Sequence, residues 1–452
     1  RNIDWFRKPG QSAILKPLPL RSSLAAGPLR VFRLRDFRLL WIGAFFSFTG
    51  SWIQQVAQGM LVYELTRDEA KLAFVSFCGM APVSILGPFA GALADSFNKR
   101  TLLIVAQTTL GLGAGFLAFA TWKGFVQYGH IVSVALLFGI VGCFEMPTRQ
   151  SIIGRVVPAE ELAAAVPLNA MTFNVSRLIG PAIGTWLYAA FGAAACYATN
   201  MVSYLGLISS AVAIRADLKP TQREPQPILD LILEGMRYTF RDPRLRTLFV
   251  MEAIVSALGL AYLTLMPAFA RQMLEARLGP AIAELSQKEV SYQTAKILGG
   301  AMTSVGVGAI CGLLLTTMLS QRPVKARLIQ GAMTLMGLSL LVVAFARSPW
   351  FAFPCFAVMG GSAILQFNTT NSLFQLLSPE HLRGRVISMH VWALSGVGPF
   401  GTLFFGWLAR QTKGDPHSPL QGIPLVMLLG GVCVLLGALW GYKNRHRLVG
   451  VQ

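Results

Sequence analysis

The stretch Gly91–Leu103, GALADSFNKRTLL, decides the fold. It is a short glycine-led turn that carries one carboxylate, Asp95, and a basic pair, Lys99 and Arg100. On its N-terminal side Leu72–Ala90 holds no charged residue, and on its C-terminal side neither does Leu102–Thr121. Each flank matches the ~20 apolar residues that span a bilayer. Inside lipid the backbone must satisfy its own hydrogen bonds, so both flanks are expected to be helices. The turn between them then sits at a membrane surface.

The same pattern extends along the chain. Of 452 residues, 54% are hydrophobic and 13% are charged, about half the charge of a soluble domain. Twelve spans are expected, near 39–64, 72–95, 101–121, 130–156, 161–190, 193–214, 247–270, 296–319, 326–346, 350–376, 385–410 and 420–442. This is an all-α polytopic membrane protein. The net charge of +19 does not point to nucleic acid, because the bases are spread over short segments between spans rather than clustered on one face. Nine bases precede the first span and seven lie between Arg215 and Arg246. That bias puts both termini in the cytoplasm. The six cysteines are scattered with no CxxC, which indicates neither a disulfide framework nor a zinc site.

The stretch 215–246 divides the spans six and six. Within it ILDLILEGMRYTF has apolar residues at helical spacing, and an amphipathic helix on the inner membrane surface is expected. The mixed-charge stretch 271–295 is expected to be a solvated hairpin on the opposite side. The expected organisation is a tail (1–38), a six-helix bundle (39–214), a linker (215–246), a second six-helix bundle (247–442) and a tail (443–452). The halves repeat. GALADSFNKRTLL parallels GLLLTTMLSQRPV from Gly312, VPAEELAAAV at 157–166 parallels LSPEHLRGRV at 377–386, and the Gly-Pro pair at 180–181 parallels that at 398–399. Three landmarks at nearly one offset argue duplication, a known transporter plan with its site between the halves.

These landmarks resemble the major facilitator superfamily. GPFAGALADSFNKRTLLI, EMPTRQSIIGRVVPAEELAAAVPLN and LSPEHLRGRVISMH are similar to the branch of drug–proton antiporters that includes the enterobactin exporter and the transmembrane secretion effectors. The resemblance implies two pseudo-symmetric six-helix halves, and helices one, four, seven and ten lining a cavity. It also implies that Gly180, Pro181 and Gly184 form an antiporter signature on helix five.

Candidate site residues follow. Asp95 ends helix two, where the helix dipole disfavours an anion. It is expected to dock on the start of helix eleven, at Arg383, Gly384 and Arg385, when the cytoplasmic gate closes; Gly91 packs closely, and Lys99 and Arg100 meet lipid headgroups. Such a contact is expected to bias the states by about 1–3 kcal/mol. Intramembrane ionisable residues are functional candidates by default. Glu145 and Arg149, one turn apart, are either a proton carrier with its modulator or a static ion pair. Arg177 lies one turn before Pro181, which cannot donate to its carbonyl. Gln54 and Gln58 on helix one, and Gln366, Asn368 and Asn371 on helix ten, either line a cavity or join helices by hydrogen bonds. Glu252 is read as snorkelling near the cytoplasmic end, and His390 as structural or titrating near neutral pH.

The glycine runs at 111–115 and 306–312 follow no strand, so they are not dinucleotide loops. No nucleophile–base pair, metal cluster or ATP-binding loop appears, so no enzyme, cofactor or metal is expected. The expected function is export of a small amphipathic, drug-like or siderophore compound by proton antiport. The expected setting is a monomer in contact with lipid in the bacterial inner membrane, with no nucleic acid involved. A lipid or lysophospholipid flippase and a non-transporting scaffold or sensor are the alternatives.

Overall fold

The computed structural model describes residues 28–95, 97–219, 228–319, 325–414 and 420–445, with side chains described for these except 28, 29, 88–95, 163, 228, 229, 231 and 381. Among them every regular element is helical. In order they are α1 (Arg35–Thr66), α2 (Glu69–Asp95), α3 (Lys99–Trp122), α4 (Tyr128–Val156), α5 (Leu162–Ala213), α6 (Ile228–Arg241), α7 (Pro243–Ile254), α8 (Ala261–Leu278), α9 (Gln287–Leu319), α10 (Lys325–Ala344), α11 (Pro349–Leu377), α12 (Arg383–Val391), α13 (Gly398–Gln411) and α14 (Gly422–Lys443).

Among the described residues, ten helical segments are long and apolar enough to cross a membrane. The difference from the expected twelve has two sources. In α1, 32 residues long, Gln54, Gln55 and Gln58 interrupt the apolar run, and the helix falls outside that set. The 52-residue α5 counts once, although Gly192 at φ 79° breaks it in two. A positive φ is where glycine costs least. Single turns of π-helix, Val255–Gly259 and Trp392–Gly396, join α7 to α8 and α12 to α13. Both lie between residues 247 and 411, each inside a long span, and are a local device the sequence did not reveal.

Small residues set the helix contacts, and the contacts recur. Gly180 and Gly184 of α5 lie on Thr49, Trp52 and Ile53 of α1; Gly398 and Gly401 of α13 lie on Ser256 and Ala257 beside α7. Gly139 of α4 abuts the carbonyls of Cys78 and Gly79 on α2; Gly308 and Gly312 of α9 abut those of Ala357 and Gly361 on α11. Close backbone approach of this kind is what small residues permit between membrane helices. Gly308→Ala should force α9 from α11 at a cost of about 1–3 kcal/mol, read as a lower thermal midpoint in detergent. The control is Gly331→Ala on the open face of α10, where an added methyl meets nothing within 4 Å. It should be neutral or slightly stabilising.

Two expectations need correction. The stretch 271–295 is not a hairpin loop. Helix α8 continues to Leu278, a 3-10 turn spans Gly279–Glu284, and α9 starts at Gln287. Its opposite charges pair along the helix, Arg271 with Glu275 at 2.6 Å, which supports helix rather than solvated loop. Arg100 does not reach outward to headgroups: its guanidinium donates to the carbonyls of Ile214 and Ala216 beyond the end of α5. Lys99 is 1% exposed, and its backbone N–H donates to Leu218. The unsatisfied carbonyls at a helix end draw these donors inward.

Candidate functional site

A cavity of about 340 Å³ lies between helices α1, α2 and α5 on one side and α8 and α9 on the other. Its polar lining comes from Gln55, Gln58, Ser76, Arg177 and Thr264. Trp52 and Met302 stand among the apolar remainder. Arg177 is the one charged residue in that lining. Its Nε is buried and has no hydrogen-bond partner, and no ion pair to it occurs among the described residues. Pro181 follows one turn later inside α5 and removes the N–H that the Arg177 carbonyl would accept.

The glutamines divide differently from the expected face. Gln54 turns away from the cavity; it is buried and accepts from the Asn200 amide at 2.7 Å. Gln55 and Gln58 take its place in the lining. Asn200, 146 residues away, captures Gln54, and one sequence cannot show such a pairing. Gln366 is fully buried, its amide nitrogen donating to the Met251 carbonyl at 3.4 Å. Asn371 accepts from Gln375 at 3.2 Å, and Asn368 is half-buried.

Glu145 and Arg149 do pair, Nε to Oε1 at 3.1 Å, with both side chains mostly buried. Gln107 of α3 also donates to the Glu145 carboxylate at 3.4 Å. The Arg149 guanidinium lies 4.1 Å from the centre of the Phe48 ring, a cation–π contact. The pair faces α1 and α3, outside the cavity lining.

The largest departure concerns Glu252 and His390. Glu252 does not snorkel: it is 0% exposed on α7. Its Oε2 lies 2.7 Å from His390 Nδ1 on α12, so the histidine is not a lone residue. The other carboxyl oxygen, Oε1, is buried without a partner. A proton must lie between imidazole and carboxyl at that distance, on one side or the other. The two residues are 138 positions apart, and one sequence does not show that α7 and α12 touch.

The gate is brought together only in part. The side chains of Gly91 and Asp95 lie outside the described residues. On the other half Arg383 and Gly384 are exposed, and Arg385 pairs with Glu234 of α6. Helix α6 thus docks on the start of α12, where Gly235 meets the Arg385 backbone. At the bundle end opposite the start of α1 and the end of α14, a second ionic cluster joins α2 to α13. Asp68 caps the first turn of α2 and faces Arg410 of α13 at 3.3 Å. Lys413 lies 3.0 Å from Glu69 and donates to the Arg67 carbonyl at 2.9 Å. Tyr63 donates to the same Glu69 carboxylate at 3.1 Å.

Long apolar helices enclosing a largely apolar cavity with a few polar groups are the plan of a membrane transporter. Residues 26–447 match the profile of the transmembrane secretion effector family, and the chain belongs to that family, a branch of the major facilitator superfamily. It is 24% identical over 363 residues to the staphyloferrin A transporter of Staphylococcus aureus, covering 80% of this chain and 86% of that one. It is 22% identical over 408 residues to macrolide efflux protein A of Streptococcus pyogenes, covering 88% and 95%. The multidrug efflux pump Tap of Mycolicibacterium fortuitum is also 22% identical, over 87% and 93%. Among solved structures, the nucleoside transporter NupG superposes with a TM-score of 0.71 at 14% identity, over 90% of this chain and 99% of that one. A bacterial homologue of the lysosomal transporter Spinster, inward-facing and unoccupied, gives 0.68 at 12% identity, over 94% and 99%. These likenesses at low identity speak for the fold.

Proposed function

We propose that this chain exports a small amphipathic compound from a bacterial cytoplasm by proton-coupled alternating access. On this reading the helices make twelve spans: α1 is the first, α5 supplies two across Gly192, and α7–α8 and α12–α13 are one each across their π turns. The halves are 39–214 and 247–442, joined by the 215–246 linker, with both termini cytoplasmic. The observation that carries the reading is the cavity lined from both halves, the place where rocking of one half on the other alternately exposes a ligand. The efflux relatives favour the outward direction. Proton coupling is assigned to Glu145: release from Arg149 and Gln107 in one state would change its proton affinity, which ties uptake to gating.

The test is flux of a fluorescent drug in proteoliposomes under an imposed pH gradient. Wild type should move it several-fold faster with the gradient than without, and Glu145→Gln should lose that difference while keeping downhill flux. Equal rates in both conditions for wild type would end the antiport reading.

A further inference from the structure

We propose that the central cavity is an anion site, in which Arg177 reads a carboxylate or sulfonate carried on an otherwise apolar, ring-sized substrate. The inference deepens the transporter reading and rests on it for the site's role, though not for its chemistry. A buried cation is retained at large cost unless something pairs with it. Every other mostly buried guanidinium described in the membrane region has found its partner: Arg149 has Glu145 and the Phe48 ring, and Arg271 has Glu275. Arg177 has none, and its Nε is orphaned at the wall of a cavity. No carboxylate lines that cavity. A cationic ligand would meet an uncompensated like charge there; an anionic one would supply the missing partner, and by a charge-assisted hydrogen bond.

A second orphan lies beside it. Tyr262 is buried with its hydroxyl unpartnered, within electrostatic reach of Arg177. A phenol can also donate, more weakly than a guanidinium; Tyr262 stands behind the lining at Leu263 and Thr264 rather than in it. The rest of the wall suits an uncharged ring: Trp52 and Met302 offer flat and polarisable surface, and Gln55, Gln58 and Thr264 offer neutral hydrogen bonds. At about 340 Å³ the volume lies at the small end of drug-sized sites, enough for a two-ring body bearing one acid group. Pro181, inside α5, provides the means of release. It leaves the backbone at Arg177 without its helical donor, so this turn of α5 is the one that can swing the guanidinium when the halves move.

The experiment uses three probes with one ring system: 1-naphthylacetate, 1-naphthalenemethanol and 1-naphthylmethylamine. Their affinities for the purified full chain in detergent are read from the rise in thermal unfolding midpoint with probe concentration. Wild type should bind the acetate at least about tenfold more tightly than the amine, the size expected for one hydrogen bond to a charged group. Arg177→Gln should lose that preference, Arg177→Lys should keep most of it, and neither should change affinity for the neutral alcohol. Equal affinity for acetate and amine in wild type overturns the proposal, as does an unchanged preference in Arg177→Gln or failure of all three probes to bind. The wild-type comparison stands even where the glutamine variant does not fold. Flux without anion preference would keep the transporter and remove the site. Arg177-dependent anion binding in a chain that carries out no flux would keep the site and remove the transporter.

Discussion

Replacing His390 with alanine should destabilise the folded bundle by about 3–5 kcal/mol, the usual cost of removing one partner of a buried pair. Glu252 explains the size. Its side chain has no exposure, one of its oxygens is already without a partner, and the other has only His390. After the substitution the carboxyl must protonate, draw in water, or stay charged in a low-dielectric interior. The neighbours offer little help. Gln366 gives its amide to the Met251 carbonyl, the Phe374 ring lies tilted against the imidazole with ring centres 5.6 Å apart, and Arg385 of α12 is taken by Glu234. Glu252→Gln removes the charge while keeping a group that can meet Nδ1, so it should cost far less. The double variant Glu252→Gln with His390→Ala should therefore be more stable than His390→Ala alone, a coupling that a double-mutant cycle measures. Equilibrium unfolding in mixed detergent is the readout. A loss under about 1 kcal/mol for His390→Ala would mean the carboxyl has another partner.

This pair also shows where the sequence stops being informative. Spans are legible because a bilayer demands length and apolarity locally, and a window of one sequence contains both. The break at Gly192, the linker helix and the turn at Gly91–Leu103 are legible for the same reason: each is a local composition signal. Partners are not. Gln54 and Gln58 lie on one face by helical geometry, yet one is bound by Asn200 and the other faces the cavity, because a third helix chooses between them. Glu252 looks peripheral by its position near a span end, and only the crossing of α7 and α12 buries it. The stretch 271–295 looks like loop by charge content, and only its i,i+4 pairing makes it helix. Arg177 was visible as an intramembrane base; its isolation was not, since isolation is a property of everything around it.

Lys413→Glu should open the far end of the bundle, shifting the balance between closed and open forms by a factor within the roughly 5–150-fold range of ordinary conformational coupling. The half-exposed Lys413 alone would be worth little, since pairs reaching solvent contribute about 1 kcal/mol or less. Its partner makes the difference. The Glu69 side chain is only 5% exposed, and its Oε2 is buried and unpaired. Lys413 and the Tyr63 hydroxyl both stabilise its Oε1. Reversal removes one of these and adds a second carboxylate facing the first. The Lys413 bond to the Arg67 carbonyl is lost as well; Arg67 is the one described non-glycine residue with positive φ. That bond therefore helps hold a backbone turn that costs energy by itself. The ions bridge the start of α2 to the end of α13, and Gly406 is pressed against Ala73 directly behind them, so separating the charges separates these two helices. Spin labels on cysteines at 123 and 347, in a background without the six native cysteines, report the far-end distance by pulsed electron resonance. Lys413→Glu should move weight to longer distances. The swap Glu69→Lys with Lys413→Glu should bring much of it back, though not all, because a lysine at 69 cannot accept from Tyr63. Unchanged distances in the single variant would show that packing alone, without these charges, keeps the far end shut.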